Sequence, residues 1–339
     1  MLSVCIPAYT YVDYTGDAVR SILASNIELE LVVVEDFDLL PEGHPERQRI
    51  AEVRELLSSD PRIKWVKSNT RRPIQENWND TVSIASGTHI KLMGADDRVN
   101  PTGLRKMHSF LQAHPDAHFI GHLADVIDQN GRVIRHMQPY VSTREVLTVP
   151  PQLALSLKIQ HTARFREPVC NVFSKEIWQS VGGYSDRFRF CFDVHFNMRI
   201  MSKVKSHLIS EAWCELRRHK ESDGAKLPAD LALNELDGLL HFALDNITPK
   251  PTPSDMNNAK AQIAYRAIEL ALARSGRNPI KALRYMHEQR ARLMVNPSAM
   301  GLALSILLRR LKNGDVQRTL SHDEALSMGL LKNSPDFKT

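Results

Sequence analysis

Apolar residues follow two alternating spacings along the first 130 positions, and that alternation predicts the fold class. The segments "LSVCIP" (2–7), "LELVVVED" (29–36), "RIKWVKS" (62–68) and "THIKLM" (88–93) are short, nearly continuous apolar runs. Runs of that length, rich in Val and Ile, fit strands covered on both faces. Between them the spacing becomes helical. Val19, Ile22 and Leu23 share one face of a segment over Asp17–Ser25, and Ile50, Val53, Leu56 and Leu57 share another behind Pro45. A third helix is predicted over Gln75–Ser86, stopped by Gly87. Strand and helix in this order imply a mostly parallel α/β sheet with right-handed crossovers.

Further on, Asn100 and Pro101 read as cap and first residue of a helix carrying Leu104, Met107 and Leu111. "AHFIGHLADVID" and "GRVIRHM" read as a hairpin turning at Asn130-Gly131. The stretch 150–199 is mixed, and "SHLISEAWCELRRH" (206–219) reads as a last strand ending in a basic, His-containing loop. From Pro228 the pattern turns helical, with a three-proline linker at 247–255 and helical stretches separated at 276–279 and 296–297. The expected organisation is an α/β domain over 1–225 and a helical region over 226–339.

Charge sharpens this division. The chain of 339 residues carries a net +5, but residues 266–318 hold eleven Lys or Arg against three acids. The remainder is therefore slightly acidic. "MGLALSILLRRLK" (300–312) joins an apolar face to a basic end. Such a helix fits a peripheral contact with an anionic membrane, or packing on the rest of the chain or on a second copy in a homodimer; packing is the commoner use. No nucleic-acid motif accompanies the charge, so no nucleic-acid partner is expected. The four cysteines are widely spaced without a CxxC pair, which predicts reduced thiols. Met1 leads straight into a strand with no basic n-region, and the longest apolar run, Ala299–Leu308, is too short to span a bilayer. The expected location is cytoplasmic, with the inner face of the membrane as the place for any lipid contact.

Candidate chemistry gathers where the strands end. Glu35 and Asp36 close the second apolar run, and Asp96 and Asp97 follow the fourth. In a parallel sheet these ends share one edge, where ligands of open α/β sheets bind. One acidic pair is ordinarily a solvated turn. Two on one edge point to a divalent cation with phosphate oxygens completing its shell. The rival nucleotide signatures are missing: no GxGxxG follows the first strand, and no GxxxxGK[ST] occurs anywhere.

Taken in order, "VCIPAYT", "LVVVEDFD", "ENWNDTVSIASGTHIKLMGADDRVNP" and "VGGYSDRFRFCFDVHFNMRI" resemble glycosyltransferase family 2 over about two thirds of the chain. The resemblance implies a GT-A fold, an inverting and non-processive transfer, and a nucleotide-sugar donor, with UDP-sugars favoured. It implies a glycan, lipid-linked or small-molecule acceptor in glycan or glycoconjugate biosynthesis, and Mn²⁺ or Mg²⁺ as cofactor. By position, Pro7, Ala8, Tyr9, Glu35, Asp36, Arg71 and Asn77 would surround the nucleotide. Asp96 would lie nearer sugar and ribose, Asp97 would ligate the metal, and His219 would stand by metal and diphosphate. Asp193 would be the general base, with Arg199, Gly183 and Ser222 as further site residues. Residue chemistry alone leaves Asp193 open as a helix N-cap, His219 as a loop residue and Gly182-Gly183 as a plain turn. Trp78 and Trp178 read as packing residues, and His195 as a core or surface histidine.

The chain departs from the family pattern at Phe37, where a Gly is usual, and at Phe192, where a Glu is usual. The membrane helices and QxxRW segment of processive synthases are absent. Two alternatives remain at this stage: a degenerate sugar- or nucleotide-binding module, and a sugar-phosphate nucleotidyltransferase. The latter would want a basic, Gly-rich loop after the first strand, and "PAYTYVDY" is not one.

Overall fold

The computed structural model describes residues 1–9, 11–142, 146–154, 168–219, 229–246, 250, 252–254, 256–257, 260–261 and 321–331. Ser222, the basic segment 300–312 expected to be helical and most of the expected proline linker lie outside the described residues. The predicted strands form β1 (Leu2–Ala8), β2 (Glu30–Glu35), β3 (Ile63–Lys67) and β4 (His89–Leu92). The short β5 (Arg98–Val99) follows, and then β6 (Phe119–Ile127), β7 (Val133–His136), β8 (Leu147–Val149), β9 (Asn171–Ser174) and β10 (Ser206–Arg217). They make one sheet in the order β3-β2-β1-β4-β9-β6-β10-β5, with β7 on β6 and β8 on β10.

The β1–β2, β2–β3, β1–β4 and β6–β10 pairs are parallel, whereas β9 runs antiparallel to both β4 and β6. After β1, the chain builds outward through β2 and β3 and then returns to β4 on the other side of β1. That reversal opens a crevice at the carboxyl ends of β1 and β4.

The helices are α1 (Val12–Leu23), α2 (Ile50–Ser58), α3 (Ile74–Ile84), α4 (Pro101–Ala113), α5 (Lys175–Ser180), α6 (Phe192–Met201), α7 (Ala229–Asn246) and α8 (His322–Ser327). Asn100 caps α4 as the sequence predicts, its side-chain oxygen accepting the Thr102 and Gly103 amides at 2.9 and 3.1 Å. The four cysteines are buried, and none forms a disulfide.

Three local expectations are corrected. Helix α1 starts at Val12, five residues before the predicted Asp17, because Tyr11 enters the left-handed region (φ 66°) and turns the chain at once. Pro45 opens a 3₁₀ turn (Pro45–Arg49), and α2 begins only at Ile50. Gly87 does not cap α3, which ends at Ile84; it lies against the start of β1. A Cβ there would sit 2.3 Å from Ser3 Oγ and 2.9 Å from the Met1 carbonyl.

A charge is built into the middle of the sheet. Lys91, in β4, is fully buried and donates to His122 Nε2 (3.0 Å) and to the Val169 and Asn171 carbonyls. His122 offers that acceptor because its Nδ1 is engaged by the Leu123 carbonyl at 2.8 Å. Burial and the lysine together hold this imidazole well below its usual pKa. The lysine thus fixes the backbone entering β9, the strand that reverses direction between β4 and β6.

Gly103 tests how closely α4 packs on β10. Alanine normally favours a helix interior by roughly 0.5–1 kcal/mol over glycine. A Cβ at 103, however, would lie 2.5 Å from Trp213 Cα and 2.7 Å from its carbonyl oxygen. Gly103→Ala is expected to destabilise the fold by about 1–3 kcal/mol, read as a lower Tm; an unchanged or higher Tm would contradict this packing.

Candidate active site

The crevice at the carboxyl ends of β1, β2 and β4 is a cavity of about 950 Å³. Pro7 near the end of β1 and Tyr9 just after it, Asp36 after β2, Asp96 after β4, Arg71 and Asn77 around the start of α3, and His219 after β10 all line it. Seven of the residues expected at the site from sequence are therefore brought together. No helix among the described residues is long and apolar enough to cross a membrane.

The adjacent carboxylates Asp96 and Asp97 face different surroundings. Asp96 opens to the cleft, with its Oδ2 3.0 Å from His219 Nε2. Gly94 makes room for it: a Cβ there would stand 2.6 Å from Asp96 Oδ1. Asp97 points inward and is 6% exposed, its Oδ1 accepting the Arg217 amide at 2.9 Å. Burial, with the like charge of Asp96 next to it, raises its pKa well above the ordinary carboxylate value. Asp97, expected as the metal ligand, is thus held on the Arg217 amide and does not line the cavity, whereas Asp96 and His219 do. Asp96 and His219 are the pair that a cation in the cleft would meet. Among the described residues no three acidic, His or Cys side chains converge as a complete metal cage.

Glu35 and Asp36 divide in the same way. Glu35 is fully buried; one of its oxygens accepts the Phe37 amide at 2.7 Å, and the other meets Arg54 at 2.8 Å. It is a strut of the turn and does not line the cleft, contrary to the nucleotide-side role expected of it. Phe37, where a Gly was expected, is fully buried and anchors a 3₁₀ turn over Phe37–Leu39. Asp36 lines the cleft, with its amide on the Ala8 carbonyl (3.1 Å) and its buried Oδ1 lacking a hydrogen-bond partner. Burial pushes its carboxyl up to about 6, against the opposing pull of Arg71. Arg71 lies over the Tyr9 ring, 3.9 Å from its centroid, and donates to its hydroxyl. Ala8 is fully buried, and its part is to hold Asp36 through that carbonyl.

Asp193, Arg199 and Gly183 stand behind the cleft. Asp193 is half-buried in the first turn of α6. It is not the N-cap; Cys191 holds that position without a side-chain cap. The preceding Phe192 packs on Trp78 (ring centroids 4.9 Å apart), and Trp78 lines the cleft. Arg199 donates to the Val181 carbonyl at 2.6 Å and to the Gly183 carbonyl. Gly183 has φ 66°, and a Cβ on it would meet Asn79 Oδ1 at 2.4 Å. This glycine is required by turn geometry, and Arg199 clasps the turn. His195 is a core histidine, 4% exposed between Phe188 and Phe242.

Sequence reasoning missed several residues. Tyr11 and Tyr14 line the cleft and pack on the His219 ring, with centroids 4.9 and 5.3 Å from it. Glu46 also lines it and accepts the Val12 amide at 2.8 Å, serving the first turn of α1. Arg217, 2% exposed, donates from Nε to the Asp96 carbonyl at 2.7 Å. The signal for Arg217 lies in its place at the end of a strand, two residues before His219: an arginine seldom stays buried without partners.

An open, mostly parallel sheet with an acid–imidazole cleft at its switch point defines a GT-A type of fold. The chain belongs to glycosyltransferase family 2, whose model (Glycosyl transferase family 2) matches residues 3–182. An uncharacterised glycosyltransferase of Methanocaldococcus jannaschii is 23% identical over 145 residues, which is 40% of this chain and 50% of that protein. The chain thus spans about half the length of this curated relative. Among solved structures, S. aureus TarS 1–349 in complex with UDP-GlcNAc superposes with a TM-score of 0.60 at 15% identity, covering 93% of this chain and 88% of that one. A Pyrobaculum calidifontis mannosyltransferase in complex with GDP-Man and Mn²⁺ gives a TM-score of 0.50 at 14% identity, covering 93% and 88%.

The Asp36 environment is open to direct measurement. Carbon-detected NMR titration is expected to place its carboxyl pKa at about 6. Removing the neighbouring positive charge in Arg71→Ala is expected to raise it further. A wild-type value in the ordinary carboxylate range near 3.9 would contradict this geometry.

Proposed function

We propose that this chain transfers a sugar from a nucleoside-diphosphate sugar, with UDP-sugars favoured, to an acceptor hydroxyl with inversion at the anomeric carbon. The observation that carries this reading is the Asp96–His219 pair, 3.0 Å apart at the cleft wall, on the same sheet edge as Asp36 and Arg71. Family membership adds to it. Asp36 offers an acceptor to an N–H of the nucleotide base, and the Tyr9 ring with Arg71 over it offers an apolar, cationic flank. His219 and Asp96 face the room left for a diphosphate.

A divalent cation fits this donor set. One carboxylate and one imidazole leave most of a six-coordinate shell to diphosphate oxygens and water, as Mg²⁺ and Mn²⁺ prefer. When bound, it would offset the charge growing on the departing diphosphate. The chain's own residues supply the rest. Asp193, next to the Phe192 that packs on Trp78, is the proposed general base: an acceptor hydroxyl is a weak nucleophile until its proton is taken. Attack from the face opposite the diphosphate inverts the centre. Glycans, lipid-linked glycans and small hydroxylated molecules are the acceptor classes, in glycan or glycoconjugate biosynthesis. For the C-terminal region, a homodimer or inner-membrane contact and a cytoplasmic location remain part of this proposal.

Two experiments test it. With a panel of nucleotide sugars and Mn²⁺, wild-type protein is expected to release the nucleoside diphosphate when acceptor is present. Asp193→Ala is expected to lower kcat by about 10²–10⁴-fold, and unchanged turnover would rule out Asp193 as base. The same assay separates the two adjacent carboxylates. Asp96→Asn should raise the Mn²⁺ concentration required, whereas Asp97→Asn, which keeps an oxygen for the Arg217 amide, should leave the Mn²⁺ dependence near that of wild type. The reverse pattern would return the metal to Asp97.

A further inference from the structure

Helix α6 carries Asp193, whose Oδ1 accepts the Val194 amide at 2.7 Å in the first turn, and its N-cap position is Cys191, without a side-chain capping bond. The amides leading into the helix are served from elsewhere. Glu235, on α7, accepts the Arg189 amide at 2.6 Å on one oxygen, and the Phe190 and Cys191 amides at 2.8 and 2.7 Å on the other. Its side chain is 7% exposed. From the opposite edge, Gln75 of α3 donates to the Phe188 carbonyl at 2.9 Å and to the Arg189 carbonyl at 3.3 Å. Segment 188–191 is thus clamped, its carbonyls by α3 and its amides by α7.

The rest of α7 holds the carboxylate in place. Gly238 lies against Phe188, where a Cβ would come within 2.7 Å of the ring, and Phe242 packs edge-on against His195 at 4.8 Å. Residues 235, 238 and 242 share one helix face, so the glutamate cannot shift without the helix. Burying a carboxylate is expensive compared with an apolar side chain of similar size. Simple docking of α7 would be served better by leucine. What the carboxylate adds is direction: three charge-assisted bonds fix the backbone two residues before Asp193. Phe192, between them, rests on the cleft residue Trp78.

Resting on the reading of Asp193 as base, we propose that Glu235 is a positioning residue for it. The α7 carboxylate sets the entry of α6 and so the place from which Asp193 meets the acceptor. The C-terminal helical region then takes part in transfer without touching substrate.

The test uses the full chain with Glu235→Gln, Glu235→Ala and Gly238→Ala. Saturating transfer rate, donor KM and the carboxyl ¹³C resonance of Asp193 are the readouts. Misplacing a reacting group by about 1 Å can cost on the order of 10²-fold in rate. Glu235→Ala is therefore expected to lower kcat by about 10–100-fold with donor KM within about twofold of wild type. Glu235→Gln, which keeps one oxygen, should fall between. The Asp193 resonance should move in both while that of Asp36 stays. Should Glu235→Ala fail to fold, Gly238→Ala, which pushes α7 off Phe188 but keeps the carboxylate, should show the same kcat-only loss. A kcat equal to wild type in folded variants, or a KM that rises in step with the kcat loss, would overturn the proposal. A wild type inactive on every donor would sink the base assignment instead, and an unmoved Asp193 resonance would then still sink the positioning role.

Discussion

The cleft depends on one buried guanidinium. Arg217 ends β10, and its backbone amide fixes Asp97 while its Nε fixes the Asp96 carbonyl. Its other nitrogens reach the Asp128 and Gln129 carbonyls at the β6–β7 turn, and Asp17 on α1 at 3.6 Å. Its flat face lies 4.3 Å from the Tyr14 ring centroid. One side chain therefore ties four separate pieces of chain around the acidic turn. Arginine suits this because its planar fork offers five donors in fixed directions. A lysine could not hold the Asp96 carbonyl, the hairpin carbonyls and Asp17 at once.

From that staple follows the unequal fate of the two neighbouring aspartates. Two ionised carboxylates side by side repel, and the repulsion grows as water is removed. Here Asp97 turns inward onto a backbone amide and is driven toward its neutral form, while Asp96 faces the cleft. Glu35 and Asp36 repeat the division in direction only: the glutamate is locked by Arg54 and the Phe37 amide, and it is the cavity-facing aspartate whose carboxyl burial pushes up, to about 6. In each pair the inward member shapes the turn and the outward member is free for chemistry.

Much of this was legible in the sequence. The four parallel-type strands, the Asn100–Pro101 cap and the hairpin at Gly131 follow from local rules about apolar runs, caps and positive φ. The sheet edge where acids meet follows from parallel packing. Which member of each acidic pair faces the cleft was not legible, because it is set by partners far away: Arg217 lies 120 residues from Asp97, and Arg54 lies 19 from Glu35. The end of α3 was misread for a similar reason, since Gly87 answers to Ser3 and not to its own helix. Tyr11 escaped notice because a bulky residue at positive φ breaks the local rule that would have placed the start of α1. Backbone strain of that kind persists only where the surroundings over-determine it, and here the surroundings are Tyr14, His219 and the cleft.

The two walls of the cleft also differ in how they are held. The wall bearing Asp36 and Asp96 grows directly out of β2 and β4, whose ladders with β1 are buried except at Glu30. Its geometry is as stable as the sheet. The wall behind Trp78 has no such ladder: segment 188–191 leans on one amide from α3 and one carboxylate from α7. Segments held by few bonds open at lower free energy than the strands of a core. A site built this way keeps one half rigid by sheet pairing and leaves the other half to be set by a helix from the far end of the chain. On the proposed role of Glu235, changes within α7 reach Asp193 through the backbone amides of 189–191, while the residues facing the sheet-borne wall keep their places.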